Sequence, residues 1–98
     1  MKALNKTYIY VLFDPKEGVA RYVGQTDSPE KRLLAHQNKA KRSESPLSNW
    51  LRALRAKNQA PALMLLESVA REDADAREKF WIWHFETQGA NLLNIRKK

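Results

Sequence analysis

The chain is 98 residues long, enough for one domain and too few for two. Its 18 Lys and Arg against 11 Asp and Glu leave a formal net charge of +7, which points to an anionic partner, nucleic acid foremost. With no cysteine there is neither a disulfide framework nor a thiolate zinc site, and the longest apolar run, Tyr8 to Phe13, is too short for a membrane span or a signal peptide, so a cytoplasmic protein is the default expectation.

Thr7 to Phe13 is rich in β-branched and aromatic residues and reads as a strand. Asp14 to Gly18 has turn chemistry, with Pro15 presetting φ and Gly18 accepting a positive one. Val19 to Gln25 reads as a second strand, antiparallel to the first. Ser28 followed by Pro29 signals an N-cap and first helical position, and the helix runs to about Ala40. Ser45 and Pro46 repeat the signal for a second helix to about Lys57, with Leu47, Trp50, Leu51 and Leu54 at helical spacing. Gln59 to Glu67 reads as a third strand, Arg71 to Thr87 as a third helix, and Asn91 to Ile95 as a short closing segment. Gly89 stands where a helix C-cap belongs. The order is β-β-α-α-β-α, an α+β domain in which three helices cover a small three-stranded sheet.

The basic residues gather at Lys39, Lys41 and Arg42, at Arg52, Arg55 and Lys57, and at Arg96, Lys97 and Lys98. That spread favours charge displayed on a folded surface over a disordered tail. Lys39, Lys41, Arg42, Arg52 and Arg55 are the candidate nucleic-acid contacts.

Several polar residues fall where apolar ones belong. On the third helix, Ala74, Trp81, Ile82 and Phe85 form a stripe with Glu78 in its middle. A carboxylate there is costly without a partner. The same helix is apolar on its back, through Ala76, Phe80 and Trp83, so it is expected to be sandwiched or to take part in a dimer contact. On the first helix, Arg32 and His36 lie four apart and project from one edge toward the sheet. Strand alternation puts Tyr8, Tyr10 and Leu12 on one face of the first strand, where Tyr22 can meet Tyr10 across the hairpin. Gly24, weak in a strand, marks a close approach of another chain or ligand. Each has a structural explanation by itself: a rim carboxylate, a snorkelling Arg, packed tyrosines. Together, two phenols, a guanidinium, an imidazole and a carboxylate on the edges of one core read as a site.

These residues resemble a known family. Tyr8-Ile9-Tyr10 and Tyr22-Val23-Gly24 are similar to the paired tripeptides of the GIY-YIG nucleases. Gly24-Gln25-Thr26, then Glu30-Lys31-Arg32 and His36, resemble the family's helix with Arg and His four apart. Arg77 to Ile82 resembles its metal-binding glutamate segment, and Asn94-Ile95 its closing Asn. The match runs from about Thr7 to Ile95, so one such domain fills residues 1–98. Tyr8 replaces the first Gly of the motif, at a strand start that carries no chemistry in the family. Some relatives have a further His or Tyr before the second helix, where this chain has Ser45 and Pro46.

The resemblance implies a three-stranded antiparallel sheet flanked by helices, and a metal-dependent endonuclease that hydrolyses phosphodiester bonds in DNA. In that reading Glu78 binds one Mg²⁺ or Mn²⁺, and Arg32 clamps phosphate oxygens. Tyr10 orients or deprotonates the attacking water. Its ordinary pKa near 10 is too high for a base, so a neighbouring cation must lower it or His36 must take the proton. Tyr22 completes the network, and Asn94 holds the site's backbone or a water on the metal side. No residues remain for a recognition domain, so specificity is weak or comes from dimerisation or a targeting partner. The alternatives are a non-catalytic nucleic-acid-binding module on the same fold and a small basic protein that binds structured RNA.

Overall fold

The computed structural model describes residues 6–94. Ile95 and the basic cluster Arg96, Lys97 and Lys98 lie outside the described residues. The elements are β1 (Lys6–Phe13), β2 (Ala20–Thr26), α1 (Pro29–Ala40), α2 (Pro46–Ala56), β3 (Ala62–Ala70), a 3₁₀ turn (Arg71–Asp73) and α3 (Ala74–Thr87). This is the expected β-β-α-α-β-α order, and the sheet is antiparallel throughout, with strand order β2-β1-β3.

The hairpin turn forms as its composition dictates. The Asp14 carboxylate accepts the N–H groups of Lys16 and Glu17, both at 2.8 Å, and Gly18 takes φ +71°. Helix α2 is capped by Ser45, whose hydroxyl accepts the Ser48 N–H at 3.1 Å. Ser28 does not cap α1 in this way. Its backbone is off the usual N-cap geometry, at φ −137° and ψ 80°, and no side-chain capping bond forms. Its N–H instead donates to the Thr26 hydroxyl, at 3.0 Å.

The third strand starts three residues later than expected and runs three further. Gln59 closes α2 rather than opening β3: its N–H bonds the Leu54 carbonyl at 2.9 Å behind Asn58, which takes φ +60°. Pro61 offers no N–H for pairing. At the far end, Val69 and Ala70 still pair with Thr7 and Lys6. Helix α3 begins at Ala74 because Arg71–Asp73 wind as the 3₁₀ turn. It ends in a Schellman motif: Gly89 at φ +94° donates to the Glu86 carbonyl and Ala90 to that of Phe85, each at 3.0 Å.

Strand β1 is central and covered on both faces, so Ile9, Tyr10, Val11 and Leu12 are all fully buried. Ile9, Val11, Ala20 and Val23 pack against Trp81, Ile82 and Phe85 of α3. On the opposite face, Tyr10 and Tyr22 meet His36 of α1, and α2 packs beside α1. Helix α3 is anchored through Glu67 on β3, which accepts from Arg77 Nε at 2.6 Å and Trp81 Nε1 at 2.8 Å. Its back is not sandwiched within the described residues: Phe80 and Trp83 are 38% and 59% exposed. No helix among the described residues is long and apolar enough to cross a membrane.

Candidate active site

Tyr10 sits opposite Gly24 on β2. A Cβ at Gly24 would lie 2.5 Å from the Tyr10 Oη, closer than any side chain tolerates. The close approach at this glycine is therefore made by the ring of Tyr10, which lies across β2 to reach α1. There its hydroxyl meets His36 Nε2 at 2.6 Å and accepts from Arg32 Nε at 3.2 Å. The ring of Tyr22 stands edge-on to His36, with centroids 5.4 Å apart. The helical pair Arg32 and His36 and the strand pair Tyr10 and Tyr22 thus form one network.

Burial sets its electrostatics. Desolvation pushes the Tyr10 phenol up to about 12, outweighing the hydrogen bond from Arg32 that pulls it down. Tyr22 is raised for the same reason, with Arg32 opposing and Glu78 adding. Desolvation, then the charges of Arg32 and Lys39, push His36 down to about 4. The nearby cation thus fails to acidify Tyr10, contrary to one route considered from the sequence. A buried phenol loses more hydration on ionising than one arginine returns. At neutral pH Tyr10 keeps its proton and His36 is neutral, so the phenol donates to Nε2 and the imidazole proton lies on Nδ1.

Beside this network lies a cavity of about 370 Å³, lined by Tyr22, Arg32, His36, Lys39, Glu78 and Asn94 among others. Tyr10 does not line it and forms part of its support. The cavity opens at the outer edge of β2, so α1 reaches it from one face of the sheet and α3 from the other. Glu78 Oε1 accepts from the Gln25 amide at 2.7 Å, and the same amide nitrogen donates to Asp75 Oδ1 at 2.8 Å. Sequence reasoning had given Gln25 and Asp75 no role. Asp75 stands three residues before Glu78, one helical turn away, which was the available signal. Asn94 clips the closing segment onto β2: its Oδ1 accepts the Val23 N–H at 3.0 Å and its Nδ2 donates to the Val23 carbonyl at 2.7 Å. Both ends of its amide hold backbone. Ser45 also borders the cavity, with its hydroxyl engaged in capping α2.

The five candidate basic contacts separate. Lys39 lines this cavity, and together with Arg42 it borders a shallow hollow. Lys41, Arg52 and Arg55 line another cavity between α1 and α2. Arg52 is a tether there, donating to the carbonyls of Ala40 and Ser43 at 2.5 and 2.6 Å and to Asn49 Oδ1.

Residues 6–91 match the family model of the GIY-YIG catalytic domain. The chain belongs to the GIY-YIG family. No curated protein and no solved structure matches it. The GIY-YIG assignment carries nuclease-type activity on nucleic acid as its general function, in a family that generally depends on a divalent metal. Among the described residues no group of three or more His, Asp or Glu gathers as a protein-built metal cage. Glu78 fits a more open arrangement. One of its oxygens is held by Gln25 and the other is left for a cation, beside a cavity with room for waters and phosphate oxygens. Mg²⁺ is commonly bound by one or two carboxylates in that way.

Proposed function

We propose that this GIY-YIG domain is a metal-dependent endonuclease that hydrolyses phosphodiester bonds in DNA, with Mg²⁺ or Mn²⁺ held at Glu78. The observation that carries the reading is the convergence of the Arg32 guanidinium, the Tyr22 phenol, the His36 imidazole and the Glu78 carboxylate on one cavity. A bound divalent ion supplies charge neutralisation at the phosphate and acidifies water nearby.

Arg32 uses Nε on Tyr10, which leaves its two terminal nitrogens for non-bridging phosphate oxygens. Tyr22 borders the cavity and orients the attacking water by hydrogen bonding, which a protonated phenol can do. With both phenols held protonated and His36 a weak base, none of the three is poised to abstract a proton at neutral pH. Tyr10 and His36 are positioning residues that hold Arg32 in place. Asn94 keeps the edge of β2 and the rim of the cavity together, and Lys39 adds positive charge at the mouth.

The test is nicking of plasmid, branched DNA and RNA by the purified chain with Mg²⁺, Mn²⁺ or chelator. DNA is expected to be cut with either metal and left intact with chelator. Glu78→Ala should cut on the order of a hundredfold more slowly and bind DNA equally or more tightly, because a charge that repels phosphate is gone. Wild-type nicking by Glu78→Ala overturns the reading. Binding without cleavage by the wild-type chain favours the non-catalytic module.

A further inference from the structure

The cavity at Arg32 and Glu78 is the first of three depressions in a row. Lys39 lines both it and the shallow hollow of Asn38, Arg42 and Ser43. Asn38 in turn lines both that hollow and the cavity of about 560 Å³ between α1 and α2. The depressions therefore follow one another around the C-terminal half of α1. Arg32 to Lys41 spans about 13 Å of helix axis, on the order of four nucleotide steps at the ~3.4 Å spacing of a duplex strand.

The chemistry of the far cavity is not that of a plain basic patch. Lys41 and Arg55 supply charge, and Gln37, Asn38 and Gln59 supply amides. Leu51, 4% exposed, lies under it, and Leu34, 59% exposed, stands at its rim. None of these five polar side chains has a hydrogen-bond or ion-pair partner among the described residues. Arg52, the remaining cation, is engaged with carbonyls and holds the wall in shape.

We infer that this groove is a subsite for an unpaired nucleotide of the substrate strand, a few nucleotides from the bond that is cut. Arg55 and Lys41 meet phosphate, the amides meet the polar edge of a splayed base, and Leu34 lies against its face. A duplex offers its phosphates to such a groove but keeps its bases paired and stacked, whereas an unpaired strand can splay a base into it. The substrate class is therefore DNA with a single-stranded extension at the cleavage site. The inference rests on the nuclease reading for what is cut, though not for what is bound.

Binding is measured by fluorescence anisotropy in chelator, with three labelled DNA probes: a blunt duplex, the same duplex with a short single-stranded extension, and that extension made abasic. The base-bearing extension should bind about fivefold or more tighter than the blunt duplex, and the abasic one should lose most of that gain. The double variant Gln37→Ala, Gln59→Ala should bind the extension no better than the duplex, with duplex affinity unchanged. Arg55→Gln should make the dependence of log affinity on log salt shallower by about 0.7 for the extension. Gln59 and Arg55 are exposed, and Gln37 is half-buried with no side-chain hydrogen bond among the described residues to lose, so these variants are expected to keep the fold, and the abasic probe tests the wild-type chain in any case. Equal binding of blunt and extended DNA, or of abasic and base-bearing extensions, overturns the subsite. An extension preference without metal-dependent cleavage removes the nuclease reading and keeps the subsite. Glu78-dependent cleavage without the preference removes the subsite alone.

Discussion

The hydroxyl of Tyr10 donates a hydrogen bond to His36 Nε2 and accepts one from Arg32 Nε, so deleting it leaves a buried and a partly buried partner unpaired. Tyr10→Phe is therefore expected to destabilise the fold by about 1–3 kcal/mol, measured as a drop in the denaturation midpoint. It should also slow nicking through a loosened Arg32. A phenol serving only chemistry at the cavity surface would give the slower rate with near-normal stability. His36 leads to a pH prediction. Its pKa lies near 4 in the fold and near 6.5 in the unfolded chain. Between those values the unfolded chain binds more protons, so stability is complete above pH 6.5 and falls as pH drops toward 4. The loss from this group is at most about 3 kcal/mol. The melting temperature should decline from pH 6.5 to 5, and His36→Gln, which keeps an acceptor for Tyr10, should flatten that decline. An unchanged slope in the variant would remove His36 as the cause.

At the scale of elements, the site exists because β2 is an edge strand. A central strand would separate α1 from α3, whereas at the edge Arg32 and His36 come from one face and Glu78 from the other. An edge leaves backbone groups to be paired, and the closing segment pairs some of them. Leu93 N–H bonds the Arg21 carbonyl at 2.6 Å, and the Asn94 amide takes both backbone groups of Val23. Asn94→Ala leaves those groups without partners and is expected to lower stability by about 1–2 kcal/mol, with a fall in nicking as the rim loosens. Hydrogen exchange at the Val23 amide should speed up in the variant. Unchanged exchange there would mean that Asn94 is not the clip.

For the whole molecule, the net charge of +7 is the term that acts at a distance. Lys39, Lys41, Arg42 and Arg55 have no ion-pair partner among the described residues, in contrast to Arg71 and Arg77, which pair with Asp27 and Glu67. DNA affinity should therefore fall steeply with salt, by about 0.9 log units per log unit of salt for each duplex phosphate neutralised. A flat dependence between low and physiological salt would exclude phosphate contacts as the source of binding.

The sequence by itself determined the element order, Tyr10 and Tyr22 on one face of the hairpin, the Arg32 and His36 pair on one helix edge, and the anomaly of Glu78 in an apolar stripe. All of these follow from periods of two or 3.6 residues and from turn and cap signals, which are local. The family match follows from the same residues in order. Tertiary structure alone decided the rest. It placed Tyr10 beneath the cavity instead of on it, and raised its pKa rather than lowering it. It drew Gln25 and Asp75 in beside Glu78, used the Asn94 amide on the backbone, and tied Arg52 to carbonyls. The bonds joining Gln25 to Glu78 and Asn94 to Val23 span 53 and 71 residues. Desolvation and long-range pairing depend on which elements meet across the sheet edge, and no local period carries that information.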